Sequence, residues 1–555
     1  MRMFVAGVGA CLGLLASACA VVQQKPPADP AAVAAPAGVQ PVQINIVPAA
    51  GGVRARYALP GVAKIFALRD NASDIRTDTW STPTPGAHLE RNHVALGDGL
   101  RVFEIDLKPD TQQRDRIYPA LSAIGDGWLI YAPQLLPPET SGQPYEVSYN
   151  LPDGWVLLGP TDKDDKLTLD GWIFVGPSRL VESGATNVAV APSTPAWLHK
   201  EILSAANTAA AFFEKRLDVK LDSAPAIIIS VYPDDTSNSV RGDVTPGSMM
   251  SVRFYGNAWL KEDPASANQV RELLAHEIFH FWNGGIADSA DDARFPWLHE
   301  GGASYAAMLV LNSSAKPEDP SFVAKLNQNL GECQSALGES ETLKTASKLQ
   351  FGTAPYACGV VLQWAWDAGL RSYSTGGRDV LWQWKAMIAD ARGKNGKYSL
   401  DDAVRLTPSA AAGAANILLN QSGPDRWAAF ANAMRGYGAQ MTEGRNPDED
   451  RAAALMHVLG QHCKGQRGFT TFETHITLDT GDRCGPLNGD KDFDAVAGLN
   501  VFTDASALYD RVQSICASGG AVEFIRSGVV VASAPCTSPL PAPATFLRIT
   551  RAFSG

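Results

Sequence analysis

The chain has no surplus of positive charge. Its 47 lysines and arginines face 58 acidic residues, and the formal net charge of −11 argues against a nucleic-acid partner. There is no run of about eighteen consecutive apolar residues, so nothing beyond the N-terminus is expected to span a membrane. No internal repeat is evident, which leaves no case for a repeat array. Cysteine is sparse, at eight residues, and none has the spacing of a zinc ribbon. The rest is ordinary for globular protein: 45% apolar and 19% charged over 555 residues, a length that suggests three or four domains.

The first residues read as a secretion signal. Arg2 gives a positive start, Phe4 to Leu15 an apolar core, and Ala16-Ser17-Ala18-Cys19 the small residues that follow. Leu-Ala-Ser-Ala before Cys19 resembles a bacterial lipoprotein box, with Leu15 one position further upstream than usual. In such a box the cysteine becomes the lipidated first residue, so the protein would face the periplasm. The alternative is cleavage at Ala18 or Ala20, which gives a soluble periplasmic or secreted protein. Residues 20–41, rich in Pro, Ala, Val and Gln, read as a flexible tether. Setting aside Cys11 and Cys19 leaves Cys333, Cys358, Cys463, Cys484, Cys516 and Cys536, an even number that suggests disulfides in an exported chain. Order along the chain pairs them 333–358, 463–484 and 516–536, one of fifteen connectivities that six cysteines allow.

His276-Glu277-Ile278-Phe279-His280 is the most informative stretch. Leu273, Leu274, Ile278, Phe279 and Phe281 form an apolar stripe around it. Ser266 to Gln269 offers a capping box, and Asn283-Gly284-Gly285 a stop. Histidines four apart on a helix share a face, so His276 and His280 can converge on one tetrahedral Zn²⁺. Glu277 can then reach a water in the open position of the metal. Downstream, Trp297-Leu298-His299-Glu300-Gly301-Gly302-Ala303-Ser304-Tyr305 opens a second helix, and a carboxylate there is the expected third ligand of a His₂Glu site. His299 is the rival. Neighbouring helical residues point about 100° apart, so only one of the pair can face the metal.

These segments resemble the gluzincin metallopeptidases, above all the aminopeptidase N-like and glycyl aminopeptidase families. The first carries H-E-x-x-H and then, after eighteen residues, a glutamate within W-L-N-E-G-x-A-S. This chain has W-L-H-E-G-G-A-S, with nineteen residues between His280 and Glu300. The resemblance implies that Glu300 is the ligand. His280-Phe-Trp-Asn283 is similar to the H-x-W-N of the glycyl aminopeptidases. Pro355-Tyr356-Ala357-Cys358-Gly359 resembles the Y-x-K-G element of both families, whose tyrosine stabilises the oxyanion, and Cys358 stands where lysine is usual. Trp364, Trp366, Trp382 and Trp384, further on, read as core packing.

One family element is missing. The aminopeptidases carry G-x-M-E-N or G-G-L-E-H before the zinc helix, and its glutamate binds the substrate's α-amine. The equivalent stretch is expected at Pro246 to Val252, with Met250 at the glutamate's place. A thioether cannot pair with an ammonium group. Asp288, Asp291 and Asp292 are the candidate replacements, unless they form a solvated acidic loop.

The expected organisation is α+β and multidomain. Residues 1–19 are the signal and 20–41 the tether. Residues 42–192 form a β-sandwich of short alternating strands, such as Phe103-Glu104-Ile105-Asp106-Leu107. Residues 193–452 form a thermolysin-like catalytic domain, and 453–555 a C-terminal β-rich, PDZ-like domain in which 505–512 counts among the β segments. The expected protein is an exported zinc metallopeptidase acting on short peptides, with relaxed or endopeptidase specificity. His276, His280 and Glu300 hold one Zn²⁺, Glu277 is the general base, and Tyr356 holds the oxyanion. An aminopeptidase and a non-catalytic peptide-binding or envelope-interaction lipoprotein are the alternatives. The partners expected are a peptide substrate and, through the lipid anchor alone, the membrane.

Overall fold

The computed structural model describes residues 40–553, apart from 70–74, 112–117, 139–140, 160–170, 185, 222–223, 235–238, 246–248, 314–318, 465–466, 472–473, 481–482 and 490. The signal, Cys19, nearly all of the tether and the Pro246-Gly247-Ser248 turn lie outside the described residues. Among the described residues no helix is long and apolar enough to cross a membrane.

Among the described residues three sheets make up the N-terminal part, one of five strands, one of four and one of three. Alternation explains the first. In Val102–Leu107 the side chains of Phe103, Ile105 and Leu107 are buried and the intervening ones are not. They share a core with Ile130, Ile173 and Val175 of the second sheet. The strand Trp172–Pro177 does not alternate, because it is covered on both faces. Ile173 and Val175 face the first sheet, whereas Trp172 and Phe174 pack on Ala226, Ile228 and Met249 of the next unit.

That unit is built on a five-stranded sheet ordered Val181–Ser183, Asn187–Val190, Ala226–Tyr232, Met249–Tyr255, Ser239–Thr245. The middle pairs are parallel and the last strand is an antiparallel edge. Ile227, Ile229, Val252 and Phe254 line its other face, where the helices Ala196–Leu217 and Pro264–His280 cover it. The helices Pro296–Leu311, Pro320–Ala336, Ala354–Ser374 and Val380–Arg392 continue the same core. Trp364, Trp366 and Trp384 are buried in it.

The C-terminal part departs from the expected boundaries. Helix Pro447–His462 contributes Ala454, Leu455, Val458 and Leu459 to a separate core, so the expected edge at 453 falls inside a helix. The last strand, Phe546–Arg551, returns to pair with Gln440–Gly444, and Leu547, Ile549 and Phe553 enter the core of the helical lobe. Residues 505–512 are not a strand but part of the helix Ala505–Ala517. Its buried Ala505, Leu508, Tyr509, Val512 and Cys516 recur with the period of a helix. The disulfides join Cys333 to Cys358, Cys463 to Cys484 and Cys516 to Cys536, the chain-order pairing.

Candidate metal centre

The helix that carries the paired histidines begins two residues before the expected capping box. Asp263 is its cap and accepts from the amides of Ala265 and Ser266, with Pro264 in the first turn. Proline there lacks only an amide that would have no helical partner, so Asp-Pro starts the helix better than Ser266 can. The helix ends at His280 and widens into a π-helical turn, Phe281–Ile286, which contains the expected stop residues. Widened turns of this kind often accompany functional sites.

His276 and His280 project from one face and are buried. Their Nε2 atoms stand 3.2 Å apart. Glu300 comes from the second turn of Pro296–Leu311, and its Oε2 lies 3.3 Å from Nε2 of His276 and 3.5 Å from that of His280. The other ring nitrogens are taken: Nδ1 of His276 by the Ser304 hydroxyl at 3.1 Å, and Nδ1 of His280 by Oδ1 of Asn283 at 2.8 Å. When both Nε2 atoms are unprotonated, two imidazole lone pairs and a carboxylate oxygen face one another. Three acceptors so placed call for a cation between them. In a tetrahedron with metal–ligand bonds of about 2.0–2.1 Å the ligand atoms stand about 3.3 Å apart, which these three distances match. The residues therefore fit Zn²⁺.

Electrostatics agree. Burial works against a charge on Glu300, but His280 and His276 beside it hold its carboxyl well below the usual range. Burial also opposes charge on His280, and Glu300 reverses this, raising it to about 9. Glu300 is thus kept ionised at depth, the form in which a carboxylate binds metal.

The rival ligand is placed elsewhere. The His299 ring stacks on His280, with centroids 4.4 Å apart, and its Nδ1 lies 2.9 Å from the Tyr398 hydroxyl. Tyr398 in turn donates to the carbonyl of Asn283 at 3.0 Å. Burial pulls the His299 pKa down and His280 adds to the effect, which keeps it neutral.

Glu277 is buried beside the histidines, and burial pushes its carboxyl up from the ordinary value. Tyr356 is half-buried, with its ring centroid 6.0 Å from that of His276. It starts a helix that crosses the glutamate helix through Gly301 and Gly359. A β-carbon on Gly301 would stand 2.2 Å from the Cα of Gly359, so only glycine permits this approach. The five expected site residues are therefore brought together.

Met250 is not brought to the site. It is fully buried in the strand Met249–Tyr255, in the core beneath the helices. The strand next to Glu277 is Ser239–Thr245, which presents Gly242 to it. Its one acid, Asp243, points to the opposite face and pairs with Arg253 and Tyr118. Two of the three candidate loop acids are engaged elsewhere, and the third, Asp292, acts electrostatically on His299. Asp288 pairs with Lys397 at 2.5 Å, and Asp291 accepts from the amide of Leu400 at 2.9 Å. Sequence reading missed Asn283, Ser304, Tyr398 and Gly242. Asn283 and Ser304 stand within the quoted motifs. Tyr398 gives no local signal, being 99 residues from His299.

No protein-family model and no curated protein sequence matches the chain. Among solved structures, the chain is similar to an aminopeptidase N family protein from Idiomarina loihiensis, with a TM-score of 0.59 and 10% identity over 92% of this chain and 98% of that one. It is also similar to yeast LTA4 hydrolase in complex with bestatin, with a TM-score of 0.36 and 12% identity over 77% of this chain and 72% of that one. The first similarity establishes a shared mixed α/β, multidomain fold along nearly the whole of both chains.

Proposed function

We propose that the chain is a zinc metallopeptidase that hydrolyses peptide bonds of short peptides, with relaxed or endopeptidase specificity. The observation that carries this is the convergence of His276, His280 and Glu300 at tetrahedral spacing, with Glu277 and Tyr356 beside them. Bound there, Zn²⁺ would supply a Lewis acid for the scissile carbonyl and lower the pKa of a water toward about 7. Glu277 takes a proton from the attacking water and passes it to the leaving amine, acting as base and then as acid. Burial favours its protonated form, which suits that second role. Tyr356 donates a hydrogen bond to the developing oxyanion. Asn283 and Ser304 fix the imidazole orientations.

The specificity follows from the edge strand. On the face turned to Glu277 it offers Val240, Gly242 and Val244, with no carboxylate to pair with a free α-amine. Burying an unpaired ammonium costs free energy, so blocked peptides lose little by comparison. The fold similarity favours the second reading, an aminopeptidase. A digest of free and N-acetylated peptides, read by mass spectrometry, separates the two. Comparable cleavage supports relaxed specificity, and cleavage confined to free N-termini supports the aminopeptidase.

The same proposal includes export with a lipid on Cys19, which the intact mass of the mature chain tests. It also includes a sandwich for the N-terminal sheets, a thermolysin-like middle unit and a PDZ-like C-terminal unit. The last is supported by a four-stranded antiparallel sheet packed with the helix Ala505–Ala517.

A further inference from the structure

The edge strand Ser239–Thr245 holds a glycine where strand chemistry would favour a side chain. Gly242 pairs in register with Val252 and sits between Val240 and Val244, which join the apolar core. It is not among the glycines with positive φ, so its backbone asks nothing that another residue could not give. Glycine inside a strand costs stability, and it commonly marks the close approach of another group. That group is Glu277. A β-carbon built on Gly242 would stand 2.9 Å from Oε1 of Glu277 and 3.0 Å from its Cδ and Cγ. These are its three nearest neighbours, and all belong to one side chain.

The strand is held from behind. Asp243, on the opposite face, accepts from the Tyr118 hydroxyl at 2.6 Å and pairs with the guanidinium of Arg253. Arg253 is buried and lies over the Trp172 ring at 4.8 Å and the Tyr118 ring at 5.6 Å. Both rings belong to the N-terminal part of the chain. The backbone of Gly242 is thereby fixed by its ladder on one side and by this pair on the next residue.

We propose that Gly242 is a positioning residue for Glu277: its missing side chain leaves the space in which the carboxylate stands against the histidine pair. The inference rests on the reading of Glu277 as general base. The three atoms nearest a methyl at 242 all belong to that side chain, so Gly242→Ala should displace the carboxylate while fold and metal ligands stay in place.

The test is a crystal structure of zinc-loaded Gly242→Ala, with its zinc content and kinetics, beside wild type. Expected are a displaced Glu277 carboxylate, unchanged zinc, and a kcat lowered by about 10²-fold, the order of loss that a misplacement near 1 Å brings. KM should change far less than kcat. Glu277→Asp withdraws the carboxylate by one methylene, so the Gly242→Ala loss should shrink on that background. An unmoved Glu277, an unchanged kcat, or an equal loss on the Asp background would overturn the proposal. Loss of zinc or of folding in Gly242→Ala would overturn it too, since the atoms nearest the methyl are those of Glu277. A wild-type chain that cleaves no peptide would instead refute the peptidase reading, and the crystallographic comparison would still decide the role of Gly242.

Discussion

His299 gives its Nδ1 to the Tyr398 hydroxyl at 2.9 Å, and its ring lies flat against His280 rather than edge-on toward the metal centre. The neighbouring Glu300 instead brings its Oε2 within 3.3 Å of Nε2 of His276 and 3.5 Å of Nε2 of His280, where the proposed third ligand would stand. The two adjacent residues therefore have different tasks, and substitution separates them. Glu300→Ala should lose most of its zinc, whereas His299→Ala should keep most of it. Metal analysis of the two purified variants checks this, and the reverse result would reassign the ligand.

Tyr356 stands by His276 at the start of its helix, where a phenol can meet charge developing on the substrate. Removing one such donor typically costs about 10²–10³-fold in kcat. Tyr356→Phe should show that loss in steady-state kinetics with zinc content unchanged. An unaltered kcat would leave Tyr356 as a packing residue.

The gathering of the site residues was legible because it is local. Histidines four apart share a helix face whatever the rest of the fold does, and Glu300 followed from the residues around it. The disulfides followed chain order because each closes a short loop, with separations of 25, 21 and 20 residues. The edge strand was not legible. Two strands precede the histidine helix, and only their register shows that Ser239–Thr245 lies outside and Met250 inside. The helix at Ala505 was hidden by β-rich neighbours, although its buried residues recur with helical spacing. Tyr398 reaches the centre through tertiary contacts alone.

Asn283 joins the two sides of the centre. Its Oδ1 receives Nδ1 of His280 at 2.8 Å, and its Nδ2 donates to the carbonyl of His299 at 3.0 Å. Outer partners of this kind commonly contribute 10–100-fold to metal affinity, so Asn283→Ala should weaken zinc binding by about that factor. Competition against a chelator of known affinity measures it. Wild-type affinity in the variant would show that the imidazole is oriented by other contacts.

Glu277 carries the central claim, because it binds no metal and yet the proposed hydrolysis depends on it. The most direct measurement is zinc content and peptide turnover in wild-type protein and in Glu277→Gln, prepared side by side and checked for equal thermal midpoints. The expected result is one Zn²⁺ per chain in both proteins, turnover in wild type that a chelator abolishes and added zinc restores, and no measurable turnover in Glu277→Gln. Substantial hydrolysis by the folded, zinc-loaded Gln variant, or a wild-type protein that binds no zinc, would contradict it.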